Sequence, residues 1–142
     1  MANRSILFGC ISAALAVILG AFAAHGLEKH LETGLMDLHR MEIFETGARY
    51  QMYHAFALIA LGLIAKVFGE SKLLKAAMWL FVTGILFFCV SLYLLATRNV
   101  IGMENWTWLG PITPLGGLCF ITGWILLAVA IVRKKITTGS TE

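Results

Sequence analysis

Four apolar stretches, each long enough to cross a lipid bilayer, constrain this chain more than any other feature. They cover residues 6–24, 50–68, 76–96 and 112–132. Because an α-helix rises about 1.5 Å per residue, about 20 residues cross the roughly 30 Å of hydrocarbon. Only the second stretch contains a charged residue, Lys66, which lies close enough to the end to reach the headgroups. The runs are continuous rather than alternating, so helices are expected and a β-barrel is excluded.

The composition agrees with a membrane protein and excludes several other classes. Of 142 residues, 59% are hydrophobic and 13% are charged, and the mean hydropathy is +0.83. The net charge of +3 is too small, and too closely tied to the ends of the apolar runs, for a nucleic-acid-binding protein. The three cysteines lie inside apolar runs without paired spacing, which excludes a disulfide scaffold and a zinc ribbon. We predict one all-α domain over residues 1–142, an integral membrane four-helix bundle.

The basic residues indicate how this bundle is oriented. Seven lie on one side of the predicted spans and four on the other, which favours a multi-pass protein with both termini in the cytoplasm. The first stretch is interpreted as an uncleaved span and not as a signal peptide. The predicted inner residues are Arg4, Lys66, Lys72, Lys75, Arg133, Lys134 and Lys135, and the outer ones are Lys29, Arg40, Arg49 and Arg98.

Between the first two spans, residues 25–49 are predicted to form an amphipathic connector on the outer side. Leucines recur at helical intervals, with charged residues between them. Gly34 is expected to interrupt this pattern, so that a second helix begins near Met36 or Asp37. The connector is interpreted as lying on the bilayer surface or over the helix ends, and the alternative is a lid over a binding site. The tail, residues 137–142, is predicted to be disordered.

Small residues predict where helices pack closely, because they let two backbones approach each other. One such stripe is expected on the first helix and another on the fourth. The first consists of Ala16, Gly20 and Ala24, and the second of Gly116, Gly117 and Gly123.

Polar side chains within the spans gather near the predicted outer ends of the helices. Helical spacing puts Tyr50 beside His54, and Arg49 beside Tyr53 or within reach of Glu45. Polar groups at membrane depth are costly and often functional. We therefore hypothesise one connected polar network. Its members are His25, Arg49, Tyr50, Gln51, Tyr53, His54, Tyr93 and Thr113.

His54 allows three interpretations at this point. It is a structural residue that bonds a carbonyl or a tyrosine, part of a polar ligand site or proton-responsive element, or an axial haem ligand with His25. Haem is disfavoured because nothing else in the sequence supports it, and we predict no cofactor and no metal. A His-Glu-x-x-His motif, a serine nucleophile elbow and a glycine-rich phosphate loop are all missing from the sequence. We predict a protein that is not an enzyme, with its cysteines packed as small core hydrophobes.

Four motifs then suggest a family. Residues 20–27 read Gly-Ala-Phe-Ala-Ala-His-Gly-Leu, close to a Gly-Ala-Phe-Gly-Ala-His-Ala-Leu signature, and residues 44–58, 91–95 and 112–124 contain three further motifs. Together they resemble domain of unknown function 423, which includes the transmembrane protein 256 group. This sequence departs from the family at residues 89–91, Cys-Val-Ser, where Ser-Gly-Ser is frequent. The resemblance implies a four-helix protein of the bacterial cytoplasmic membrane without an assigned activity.

Three functions are compatible with these observations. The leading one is an accessory or structural membrane module, in contact with the lipid bilayer and with either a membrane protein partner or further copies of itself. The alternative is an oligomeric transporter component for a small solute or protons that uses the outer polar cluster. The third is a redox subunit linked to haem or quinone.

Overall fold

The computed structural model describes residues 1–103 and 105–139, and for Glu32, Thr107 and residues 134–139 it describes the backbone alone. The described residues form helices and no strands. A π-helical turn, Ala23–Leu27, continues the first α-helix, and a second, Ile85–Cys89, joins the fourth α-helix to the fifth. Residues Trp106–Leu109 form a 3₁₀ turn. The α-helices are α1 (Ala2–Phe22), α2 (Lys29–Glu32), α3 (Leu38–Phe68), α4 (Lys72–Gly84), α5 (Val90–Thr97) and α6 (Ile112–Gly139).

Four helical segments of the described chain are long and apolar enough to span a membrane, which confirms the predicted all-α membrane bundle. We call them the first to fourth spans. Each extends beyond the corresponding apolar stretch because the helix continues into polar flanking residues. Of the tail 137–142, residues 140–142 lie outside the described residues, and α6 ends at Gly139. The spans are Ala2–Leu27, Leu38–Phe68, Lys72–Thr97 and Ile112–Arg133.

The connector is interrupted at Gly34, as predicted, but its second helix is continuous with the second span. Gly34 adopts a φ of +72°, in the left-handed region that suits glycine, just after α2. The Asp37 carboxylate then accepts a hydrogen bond from the backbone N–H of Arg40 at 2.8 Å and caps α3. The helix that holds the second span therefore begins at Leu38, and its first turns form part of the connector.

Reciprocal glycines bring the first and second spans into close contact. A Cβ atom on Gly9 would lie 2.6 Å from Ile59 Cγ1, and one on Gly62 would lie 2.9 Å from the carbonyl oxygen of Ala2. Both distances are shorter than van der Waals contact, so only glycine allows the two backbones to approach this closely. The buried stripe on α1 consists of Ala2, Ser5, Gly9, Ser12 and Ala16.

This stripe differs from the one predicted for the first helix. Ala16 is buried, but Ala24 is exposed, and a Cβ on Gly20 would meet no described atom within 4 Å. The prediction for the fourth helix comes closer to the structure. Gly116 packs against the backbone of Phe88, and Gly123 packs against the ring of Phe81.

These pairings also define the two ends of the bundle. Gly116 lies beside Phe88 and Gly123 beside Phe81, so α6 runs antiparallel to the third span. Near the start of α1, Glu70 Oε1 accepts hydrogen bonds from the amino group of Met1 at 2.6 Å and from the backbone N–H of Ala2 at 2.9 Å. We call this end the terminal end. The opposite end, with residues 25–37, 98–103 and 105–111, is the connector end.

Candidate functional site

A single glutamine joins three spans in the connector half of the bundle. Gln51 is only 4% exposed. Its Nε2 donates to the carbonyl oxygen of Ser12 at 3.0 Å, and its Oε1 accepts from the Tyr93 hydroxyl at 2.8 Å. A side-chain amide donates through its nitrogen and accepts through its oxygen, and here each of the two atoms has one partner on another helix. The contacts tie α1, α3 and α5 together.

The ring of Tyr93 is held in place by its neighbours on α3. It packs on Phe44, with ring centroids 4.7 Å apart. On the same helix face, a Cβ on Gly47 would lie 2.8 Å from Tyr93 Cε1, so the missing side chain makes room for the ring. The hydroxyl therefore reaches Gln51 because Gly47 and Phe44 determine where the ring lies.

His54 is buried under aromatic rings and makes two hydrogen bonds. Its Nδ1 lies 2.8 Å from the carbonyl oxygen of Tyr50, and Trp124 Nε1 donates to its Nε2 at 3.3 Å. The imidazole stacks on Phe120, with centroids 3.4 Å apart and planes inclined by 9°. A carbonyl can only accept and an indole N–H can only donate. The neutral tautomer with its hydrogen on Nδ1 therefore satisfies both contacts.

Thr113 belongs to a third group, at the start of α6. Its Oγ1 lies 2.7 Å from the hydroxyl of Ser91, which also donates to the carbonyl of Phe88 at 3.0 Å. Ser91 is buried on α5, so this hydroxyl pair joins the third and fourth spans near the connector end.

The eight candidate residues are therefore divided among separate contacts. The described hydrogen bonds pair Gln51 with Tyr93 and the Tyr50 carbonyl with His54, while Thr113 pairs with a residue outside the eight. His25, on the first π turn, is exposed. Within the described chain, no hydrogen bond joins these groups into the single network that we hypothesised. The other exposed members are Arg49, Tyr50 and Tyr53.

Arg49 and the tyrosines face outward and pair locally. Arg49 Nη2 donates to the Thr46 hydroxyl at 3.3 Å, rather than to the Glu45 carboxylate that spacing suggested. The rings of Tyr50 and Tyr53 lie 6.0 Å apart, and Tyr50 also packs on Phe88 at 4.9 Å. These side chains form the outer surface of the second span near the connector end.

Some of the polar contacts involve residues that sequence reasoning did not select. Ser5 donates to the carbonyl of Leu58 at 2.7 Å, which ties the first two spans near the terminal end. Ser12 contributes its carbonyl to Gln51, but its own buried hydroxyl has no hydrogen-bond partner among the described residues. The signal for both serines was present in the small residues that repeat every three or four positions from Ala2 to Ala16.

The part of the chain that the structure describes offers no obvious centre for a metal. Among the described residues, no three His, Cys, Asp or Glu side chains lie close enough together to hold an ion. The cysteines are separate and differ in burial: Cys89 is buried, Cys119 is partly buried and Cys10 is exposed. Cys10 therefore does not belong to the core that we expected for all three.

Comparison with known proteins places the chain in a family. A family model described as protein of unknown function (DUF423) matches residues 19–117. The UPF0382 membrane protein YwdK of Bacillus subtilis is 40% identical over 128 residues, covering 90% of this chain and 95% of that protein. A UPF0382 membrane protein of Haemophilus influenzae is 38% identical over 137 residues, covering 95% and 98%. No solved structure matches the chain. The chain belongs to the DUF423 family of bacterial membrane proteins, as its four motifs predicted.

Proposed function

We propose that this protein is a non-enzymatic structural module of the bacterial cytoplasmic membrane, acting as an accessory component beside another membrane protein. The observation that carries the proposal is the Gln51 amide. Its nitrogen and its oxygen each bond a group on another helix, which supports a role in holding the helices together. Both ring nitrogens of His54 are also engaged, Nδ1 by the Tyr50 carbonyl of the same helix and Nε2 by Trp124 of α6.

Native mass spectrometry of protein released from a mild detergent tests the accessory role. We expect a second membrane protein at a fixed ratio to this chain. A bare monomer at every detergent concentration would contradict the proposal. Copies of this chain alone would support a self-assembling module instead of an accessory subunit.

A flux assay separates the structural module from the transporter alternative. Purified protein is placed in vesicles that hold a proton gradient or an entrapped small solute. We expect the gradient to decay as slowly as in protein-free vesicles, because the buried polar groups bond each other instead of facing a water-filled path. Rapid decay that depends on the protein would favour the transporter.

The charges at the two ends support an orientation with both termini in the cytoplasm. Among the described residues, five basic side chains lie at the terminal end and four lie toward the connector end, and basic residues are in excess on the cytoplasmic side of membrane proteins. Fusion of green fluorescent protein or alkaline phosphatase to the C-terminus tests this. We expect the green fluorescent protein fusion to fluoresce and the alkaline phosphatase fusion to be inactive. An active phosphatase fusion and a dark fluorescent fusion would overturn the proposed orientation. The basic side chains at the terminal end are Arg4, Lys66, Lys72, Lys75 and Arg133.

We also propose that the bundle carries no resident haem. Axial ligation needs an imidazole nitrogen that is free to bind iron. In His54 both nitrogens are engaged, and His25 is exposed on the turn beyond α1. A visible spectrum of the protein purified from its membrane should show no Soret band, and such a band would refute this part of the proposal.

A further inference from the structure

A groove on the lipid-facing surface separates the first span from the third. Both spans pack on α3, and the space between them has a volume of about 300 Å³. All of its lining residues lie within three membrane-spanning helices, so the groove opens to hydrocarbon and not to water. It is therefore a site that only a membrane-embedded molecule can enter.

The walls of the groove are two apolar stripes and its floor is closed. Ile11 and Leu15 form part of one wall, and Leu86 and Val90 part of the other. Gln51 lies at the floor, where its side chain is bonded to the neighbouring helices. The walls therefore offer van der Waals contact. At the floor, the nitrogen and the oxygen of the Gln51 amide each have one partner on a neighbouring helix. The Ser12 hydroxyl, which also lines the groove, has no hydrogen-bond partner among the described residues.

The length of the groove follows from its lining residues. Phe8 and Leu19 are its outermost residues on α1, and at about 1.5 Å per residue the groove is about 16 Å long. At the end of the groove that is nearer the terminal end, the rings of Phe8 and Trp79 pack together, with their centroids 6.1 Å apart. This length is close to half of the roughly 30 Å of hydrocarbon in a bilayer.

The width of the groove limits which molecules it can hold. A volume of about 300 Å³ over about 16 Å corresponds to a width of about 4–5 Å, and carbon atoms in contact lie about 4 Å apart. A helix of a partner protein is about 10 Å wide, so it can insert single side chains into the groove but not its backbone. One extended hydrocarbon chain has the required width.

We propose that this groove binds one acyl chain of a membrane phospholipid. The bilayer supplies such chains at high concentration beside the open side of the groove. A chain lying between two apolar stripes contacts protein on three sides, whereas a chain on the outer surface contacts it on one. The inference goes beyond the proposed function and stands whether the protein is an accessory module or a transporter.

Photolabelling with a phospholipid that carries a diazirine along its acyl chain tests the proposal. The protein is placed in lipid nanodiscs, irradiated and mapped by peptide mass spectrometry. Groove residues should be labelled several-fold more than more exposed residues on the outer surface. The groove residues are 39–56% exposed, and they are Ile11, Leu15, Leu86 and Val90. The comparison residues on the outer surface are 56–62% exposed, and they are Val17, Ile18, Ile121 and Ile125. Labelling that follows exposure would overturn the proposal, because it would indicate surface lipid alone.

A pair of matched variants makes the test specific. Leu15→Phe places a ring in the groove, whereas Val17→Phe places one at nearly the same depth on the opposite side of α1. We expect the first variant to lose most of the groove labelling and the second to keep it. A melting temperature close to that of the wild type confirms that both are folded.

A competition experiment distinguishes the acyl chain from another apolar occupant. Unlabelled phospholipid is expected to reduce groove labelling in proportion to its concentration. Displacement by an isoprenoid quinone at a much lower concentration would overturn the assignment to phospholipid. Equal labelling of the groove in both phenylalanine variants would likewise refute it.

Discussion

Replacing Gln51 with leucine removes the amide that joins three spans while keeping a side chain of similar size. Two interhelical hydrogen bonds are lost, and such bonds in membranes average about 0.6 kcal/mol each. The larger cost falls on the Tyr93 hydroxyl, which stays buried without an acceptor at a cost of about 1–3 kcal/mol. The Ser12 carbonyl keeps its place in the backbone hydrogen bonds of α1 and adds little. We expect the free energy of unfolding to fall by about 2–4 kcal/mol.

A second substitution tests whether the cost arises from this contact. Tyr93→Phe removes the hydroxyl and should cost about 1–2 kcal/mol, because Gln51 Oε1 then loses the group that donates to it. When both substitutions are combined, no unpaired hydroxyl remains. The double variant should therefore be more stable, by about 1–2 kcal/mol, than the sum of the two single losses predicts.

Unfolding of the helical signal in mild detergent, titrated with sodium dodecyl sulfate, measures these differences. Ser12→Ala is the matched control, because the hydroxyl that it removes has no partner among the described residues. It should remain within about 0.5 kcal/mol of the wild type. If Gln51→Leu is no less stable than this control, or if the two single losses simply add, the assigned role of Gln51 is incorrect.

Two further predictions concern helix contact and pH. Gly62→Ala places a methyl group 2.9 Å from the Ala2 carbonyl oxygen and should lower the free energy of unfolding by about 1–3 kcal/mol. Its control is Gly20→Ala, which should be neutral or stabilising in the same titration because the space around Gly20 is open. Hydrogen bonds from the Met1 amino group and the Ala2 N–H hold the pKa of Glu70 below its usual range. Its stabilising contribution is therefore complete above the unfolded pKa of about 4.3 and is lost as pH falls through the folded pKa. Melting curves of Glu70→Gln and wild type should differ at neutral pH and converge in acid, and a constant difference would refute this.

The parts of the site that lie within one helix could be predicted from the sequence. Tyr50 and His54 are four residues apart, and the structure joins them through a carbonyl. The break at Gly34 and the start of a helix close to Asp37 followed equally from local chemistry. Polar contacts between helices could not be predicted, because Trp124, the partner of His54 on α6, is 70 residues away.

The sequence by itself determined that the chain is a membrane protein of four helices, because hydropathy and helix capping act within a few residues of the chain. Only the tertiary structure decided which polar side chains meet and where a groove remains. Each residue turns a helix by about 100°, so the direction of Gln51 depends on how α3 is rotated against α1. Close contacts at Gly9 and Gly62 determine that rotation, and those contacts exist only when the helices have packed.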